Sequence, residues 1–258
     1  MKLEVLLSVM NLNKKDLEKM NITSKCTVIN QCKCNKFEKY KNFNIYSYDE
    51  VGLSNSRNKG LEKVEENIVL LCDDDVIYNN NYEKVVIDEF EKSKEADIII
   101  FNIESPKRKI RINKKNKRLH FYNILTYSSQ RIAFKKNKID EIRFNNLFGS
   151  GAKFGNGEEA LFLTECLKNK LKIYSSKEYI GKVIHNESKW FKGYNKKFFH
   201  DKGALFTAIN IRLRHLLMIQ YLLRHKEVLK NYNTIKAYKI MLQGSKEYIN
   251  DIRNSKRI

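Results

Sequence analysis

Three consecutive carboxylates, Asp73, Asp74 and Asp75, close the apolar run Ile68-Val69-Leu70-Leu71-Cys72. A short run of Val, Ile and Leu reads as a buried strand. Unpaired carboxylates cannot continue inside it, because desolvating them costs too much. The triplet therefore marks where the strand leaves the core, at the C-terminal edge where open α/β sheets bind ligands. Carboxylates there have two uses. One or two can hold Mg2+ or Mn2+ together with phosphate oxygens and water, or they can fill a turn and cap the next helix.

Three further constellations carry polar chemistry. In Gly52-Leu53-Ser54-Asn55-Ser56-Arg57-Asn58, small and amide residues at a helix start offer backbone N–H groups to an anion. Arg57 adds a planar fork for a base or phosphate; the alternative is an ordinary capped surface helix. The stretch Phe148-Gly149-Ser150-Gly151-Ala152-Lys153-Phe154-Gly155-Asn156-Gly157-Glu158-Glu159 is neither a dinucleotide fingerprint nor a phosphate-binding P-loop. It delivers two glutamates to a helix start, where the helix dipole favours acids and where one of them can act as a general base. His185, in Val183-Ile184-His185-Asn186-Glu187, is a structural histidine or a third partner for a metal held by the aspartates.

The elements that position these residues alternate in the first half. Strands are expected at Leu3–Met10, Cys26–Asn30, Asn44–Tyr48, Ile68–Cys72 and Ala96–Ile103. Helices are expected at Ser54–Glu65, capped by Ser54 or Asn55, and at Tyr82–Lys94 with Val85, Val86 and Phe90 inward. This rhythm implies a mostly parallel, layered sheet with helices on its faces. Lys107–Arg118 reads as a solvated basic loop or hairpin, and Gln130–Lys135 as a strand. Glu158–Asn169 is expected as a helix, Lys172–Ser175 and Tyr179–His185 as the last strands. After Phe199 the texture is helical, with long helices at Ala204–Lys230 and Thr234–Ile252. We therefore divide the chain into a domain over 1–200 and a docked helical extension over 201–258.

Composition bounds the partners. With 42% hydrophobic and 11% aromatic residues, the 258-residue chain can build a core. Its net charge of +20 draws it to polyanions: nucleic acid, an anionic membrane or a phosphorylated substrate. The five cysteines, Cys26, Cys32, Cys34, Cys72 and Cys166, form no secreted disulfide framework, and Cys32-Lys33-Cys34 lacks the second ligand pair of a zinc site. Met1 leads straight into the first strand without a basic leader. Leu216–Leu223 is far too short to span a bilayer. A cytosolic protein that can touch a membrane is expected. The basic residues Arg212, Arg214, Arg224, Lys226 and Lys230, set among leucines, are either the solvated face of a packed helix or an interfacial surface for anionic lipid.

Taken in order, Ser56-Arg57-Asn58, Asp73-Asp74-Asp75, Gly157-Glu158-Glu159 and His185 resemble a family 2-like glycosyltransferase of the A-type fold, over roughly residues 3–200. The resemblance implies a metal-dependent, inverting transfer of sugar from a nucleotide-sugar, a UDP-sugar, to a hydroxyl of a glycan or lipid-linked acceptor. Bacterial members of this kind build capsule, exopolysaccharide and other surface glycans. It implies Mn2+ or Mg2+ at Asp73, Asp75 and His185. It assigns nucleotide contacts to Ser8, Met10, Asn30, Ser56, Arg57, Asn58, Asp73 and Asp74. Glu159 or its neighbour Glu158 becomes the catalytic base. Apart from the resemblance, Trp190, with Phe191, Tyr194 and Phe198 nearby, can stack on an acceptor sugar ring or pack in a core or interface. Ser8-Val9-Met10-Asn11 stands where the family carries an early Pro-x-x-Asn motif. Two other classes compete: a nucleic-acid-binding protein, which positive charge alone favours and no motif supports, and a metal-dependent nucleotidyltransferase.

Overall fold

The computed structural model describes residues 1–106, 110–184, 193–229 and 231–255. Its strands are β1 Leu3–Met10, β2 Lys25–Gln31, β3 Lys36–Tyr40, β4 Phe43–Tyr48, β5 Ile68–Asp73, β6 Val76–Tyr78, β7 Ile98–Glu104, β8 Lys117–Arg118, β9 Ile132–Lys135 and β10 Ile173–Val183. Its helices are α1 Lys14–Lys19, α2 Leu53–Lys63, α3 Tyr82–Lys92, α4 Glu158–Lys168, α5 Lys196–Ile209, α6 Arg214–Arg224 and α7 Thr234–Ser255. All ten strands join one sheet in the order β3-β4-β2-β1-β5-β9-β7-β10-β6, with β8 on β10.

The four strands β4, β2, β1 and β5 run parallel. In-register pairing sets Met10 beside Gln31, Gln31 beside Tyr48, and Ser8 beside Asp73. Their C-terminal ends therefore share one edge. Strands β1 and β5 read as near-continuous apolar runs because both faces are covered. Val5, Leu7, Leu70 and Cys72 pack with Val86 and Phe90 of α3 on one side. On the other side, Leu6, Val69 and Leu71 pack with Leu61 of α2 and with Phe162, Leu163 and Cys166 of α4.

The last three helices close over the segment that leads into α4. Phe148 and Phe154 lie in one buried cluster with Phe199, Leu205, Met241 and Tyr248. Helices α5 and α7 touch backbone to backbone. A Cβ on Gly203 would fall 1.8 Å from the Met241 carbonyl oxygen, and one on Gly244 would fall 1.9 Å from that of His200. Buried Asp201 accepts from the Gly155 amide at 2.9 Å and pairs with Lys197 at 2.8 Å. Lys153 reaches Glu247 and Asp251 of α7, both at 2.8 Å. The glycine-rich loop is thus held from outside by α5 and α7.

Several expectations need correction. Ala204–Lys230 is not one helix. Asn210 is extended, and its side-chain oxygen accepts from the amides of Arg212 and Leu213, a local bond that competes with the helix. The two last strands are one, β10, with register shifts between Ser175 and Lys182. α2 is capped by Gly52, not by Ser54 or Asn55; the Ser54 hydroxyl donates instead to the Phe148 carbonyl at 2.6 Å. The basic segment after residue 109 is not simply solvated. Asn113 is buried and exchanges hydrogen bonds with Asn102 at 2.8 and 2.9 Å, while Lys117–Arg118 pairs with β10.

Candidate active site

The parallel strands end in polar residues because their apolar runs end there. Asp73 is the last residue of β5, half-buried, while Asp74 is exposed in the following turn. One Asp73 oxygen accepts from Arg57 Nη2 at 3.0 Å, and the other from the Ser129 hydroxyl at 2.7 Å. Arg57 comes from the second turn of α2, whose start is fixed by Gln31 Oε1 accepting from the Gly52 amide at 2.7 Å. Its guanidinium is 1% exposed and lies 5.3 Å over the Phe144 ring.

Arg57 faces three carboxylates. Besides Asp73, its Nη1 lies 3.5 Å from Glu159 and 3.6 Å from Glu158. Burial by itself would lower the guanidinium pKa; Asp73, Glu159 and Glu158 more than reverse that, and the net shift is upward. A buried charge survives only with such partners.

The glycine-rich loop makes this convergence possible. Gly157, the N-cap of α4, adopts φ +103°, a region costly for other residues. Gly149, at φ +111°, slots between the Ser54 hydroxyl and the Glu158 carboxyl, where a Cβ would sit 3.2 and 3.3 Å from them. The two glutamates then differ. Glu158 is 5% exposed. Burial, followed by the charge of Glu159, pushes its carboxyl up to about 8, against the pull of Arg57. Burial thus favours its protonated form relative to an ordinary carboxyl. Glu159 is the more open of the pair, with its side chain 18% exposed.

The structure brings Asp73, Arg57, Glu158 and Glu159 into one cluster. Arg57 and Ser56 are buried, and the Ser56 hydroxyl donates to that of buried Ser8 at 3.0 Å. Asn58 exchanges bonds with the backbone of Phe144 at 2.7 and 2.9 Å, tying α2 to the loop. Asn30 accepts from the Leu12 amide and donates to Ser47. These residues build the wall of the site. Met10, Asp74 and Asp75 remain at its open rim. His185 and Trp190 lie outside the described residues.

Ser129 and Phe144 were missed by sequence reasoning, because neither sits in a motif and both reach the site only through folding. Lys202 of α5 was missed as well. Burial holds its ammonium below the usual lysine range, while Glu158 acts in the opposite direction. It lies over the rings of Phe198 and Tyr221 at 5.9 and 5.7 Å.

A divalent cation needs oxygen donors at this edge. Among the described residues, no group of three His, Cys, Asp or Glu converges on one point. Mg2+-type sites need only one or two carboxylates beside substrate phosphates, and the triplet at this edge ends in half-buried Asp75. Its backbone carbonyl accepts from the Ile184 amide at 2.8 Å, and Val76 pairs with Val183. Asp73 is engaged by Arg57 and Ser129.

Several solved structures share this architecture. The TarS 1-349 fragment from S. aureus, in complex with UDP-GlcNAc, aligns with a TM-score of 0.63 at 15% identity, over 88% of this chain and 73% of that one. The longer TarS structure gives 0.61 at 16%, over 91% of this chain but 44% of that chain. The mannosyltransferase PcManGT from Pyrobaculum calidifontis, in complex with GDP-Man and Mn2+, gives 0.53 at 9%, covering 94% and 73%. At such identities the likeness establishes the A-type glycosyltransferase fold. No curated protein matches the chain. The sequence profile of glycosyl transferase family 2 matches residues 29–162, more than half of the chain and all of the Arg57 cluster, and the chain belongs to that family.

Proposed function

We propose that the protein moves a sugar from a UDP-sugar to a hydroxyl of a glycan or lipid-linked acceptor, with inversion, in building a cell-surface glycan such as capsule or exopolysaccharide. The donor is drawn from the cytoplasm. The observation that carries this reading is the Arg57 bridge. One buried guanidinium joins Asp73, at the strand edge where a nucleotide would lie, to Glu159, at the helix start where a base would act. The UDP-GlcNAc complex of TarS supports the uridine donor.

Glu159 is the base in this reading. Its carboxylate takes the proton of the acceptor hydroxyl as that oxygen attacks the anomeric carbon. The carbon–oxygen bond to the diphosphate breaks from the opposite side, and the nucleoside diphosphate leaves with the electron pair. Glu158, more buried and shifted toward its protonated form, leaves the proton-accepting role to its neighbour. Arg57 holds both glutamates in position without touching the sugar. Asp75, with Asp74 or Asp73 and with His185, would hold Mn2+ or Mg2+, which when bound offsets charge on the diphosphate oxygens.

Three outcomes are expected. Glu159→Gln lowers transfer by about 10²–10⁴-fold while UDP still raises the melting temperature, whereas Glu158→Gln loses less than about tenfold; the reverse pattern in a direct assay of UDP release would move the base to Glu158. Stability should also respond to pH. The Glu158 carboxyl is raised in the folded state from 4.5 to about 8. Its contribution is fully present below about pH 4.5 and is lost as the pH rises through about 8. Thermal unfolding of the wild type should therefore fall away from that of Glu158→Gln between pH 5 and 9, by about 2–4 °C for each kcal/mol; parallel profiles would show that Glu158 is not buried as described. Finally, Mn2+ should add to the thermal shift produced by UDP, and Asp75→Ala should abolish that increment while keeping the shift due to UDP alone. An undiminished increment in Asp75→Ala would take the cation away from the triplet.

A further inference from the structure

Helix α6 has two apolar faces. Met218 and Leu222 point inward and are buried against α5 and α7. On the opposite side, Leu216, Ile219 and Leu223 recur at three- and four-residue spacing, one stripe of the helix, and are 62%, 47% and 61% exposed. Leu213, at the N-cap, continues the row at 46%. Gln220 is the one polar residue within that stripe. A surface helix ordinarily turns charge to water here, and a contiguous apolar row at the surface marks an interaction site.

The charge around the row points to the partner. Arg212, Arg224 and Lys226 are exposed beside it. From Lys202 to Lys226 the sequence holds no Asp or Glu, and the exposed acid that follows, Glu227, is paired with His225. Leucines on one face with cations of a single sign at the border match the interfacial layer of an anionic bilayer, whose acyl boundary accepts the former and whose headgroups pair with the latter. A second copy of this chain fits poorly, because it would bring the same cations face to face. With eleven residues, α6 is about 16 Å long. It can lie in the membrane plane but cannot cross a core of about 30 Å. No helix among the described residues is long and apolar enough to cross.

We propose that α6 docks the protein on an anionic membrane surface through Leu213, Leu216, Ile219 and Leu223, with Arg212, Arg224 and Lys226 contacting the headgroups. A membrane-docked position suits a lipid-linked acceptor, and that part rests on the proposed function.

Vesicle co-sedimentation without nucleotide or sugar tests the surface separately from the chemistry. The wild type should pellet with phosphatidylcholine vesicles containing about one third phosphatidylglycerol and not with phosphatidylcholine alone. Binding should weaken as salt is raised from about 0.1 to about 0.5 M. Leu216→Gln/Ile219→Gln/Leu223→Gln and, separately, Arg212→Gln/Arg224→Gln/Lys226→Gln should each lose about tenfold or more in binding, with the melting temperature and the thermal shift by UDP unchanged. Equal binding to neutral vesicles, wild-type binding by either variant, or a solution dimer that the apolar variant dissolves would overturn the proposal. The dimer outcome would assign the row to a second copy instead.

Discussion

A single buried cation holds the site together. Arg57 lies in the interior between strand β5 and helix α4, and it is stable there only because Asp73, Glu158 and Glu159 surround it. Removing one partner from such a cluster leaves an uncompensated charge, which costs far more than the pair contributes when intact. The requirement runs in both directions. Two glutamates cannot both stay ionised behind a helix start without a cation, and Glu158, the more buried, shifts toward its neutral form. The two glutamates differ in burial around one guanidinium, and the proposed division of labour between them rests on that difference.

The C-terminal helices are part of the same constraint. The loop from Phe148 to Gly157 must make positive-φ turns to bring α4 to Arg57, and such backbone needs support. Support comes from Asp201 on the Gly155 amide, from Lys153 between Glu247 and Asp251, and from the aromatic packing of Phe148 and Phe154 with Tyr248. Helix α6 rests on this scaffold and turns its second apolar face outward.

Much of the frame was legible in the sequence. Strand β1 was read with its observed bounds, and β5 within one residue, because continuous apolar runs bounded by charge admit few alternatives. The placement of Asp73–Asp75 at a strand exit followed from the cost of burying carboxylates. The burial of Arg57 was not legible: an arginine beside Ser56 and Asn58 looks like a surface contact until folding brings three acids to it. Ser129 and Phe144 carry no local signal at all, since their positions depend on the antiparallel strand β9 and the loop after it. The short elements α1, β3 and β6 went unread because six, five and three residues give too little periodicity. The break at Asn210 needed a side-chain bond that helix propensity alone does not reveal.

The direct test of the central claim is the unfolding free energy of Arg57→Met in urea, compared with the same change combined with Asp73→Asn and Glu158→Gln. If Arg57 neutralises the cluster, the single substitution lowers stability by about 3–5 kcal/mol, and neutralising the acids restores a large part of it. An Arg57→Met protein as stable as the wild type, or a triple variant no more stable than the single one, would contradict the account.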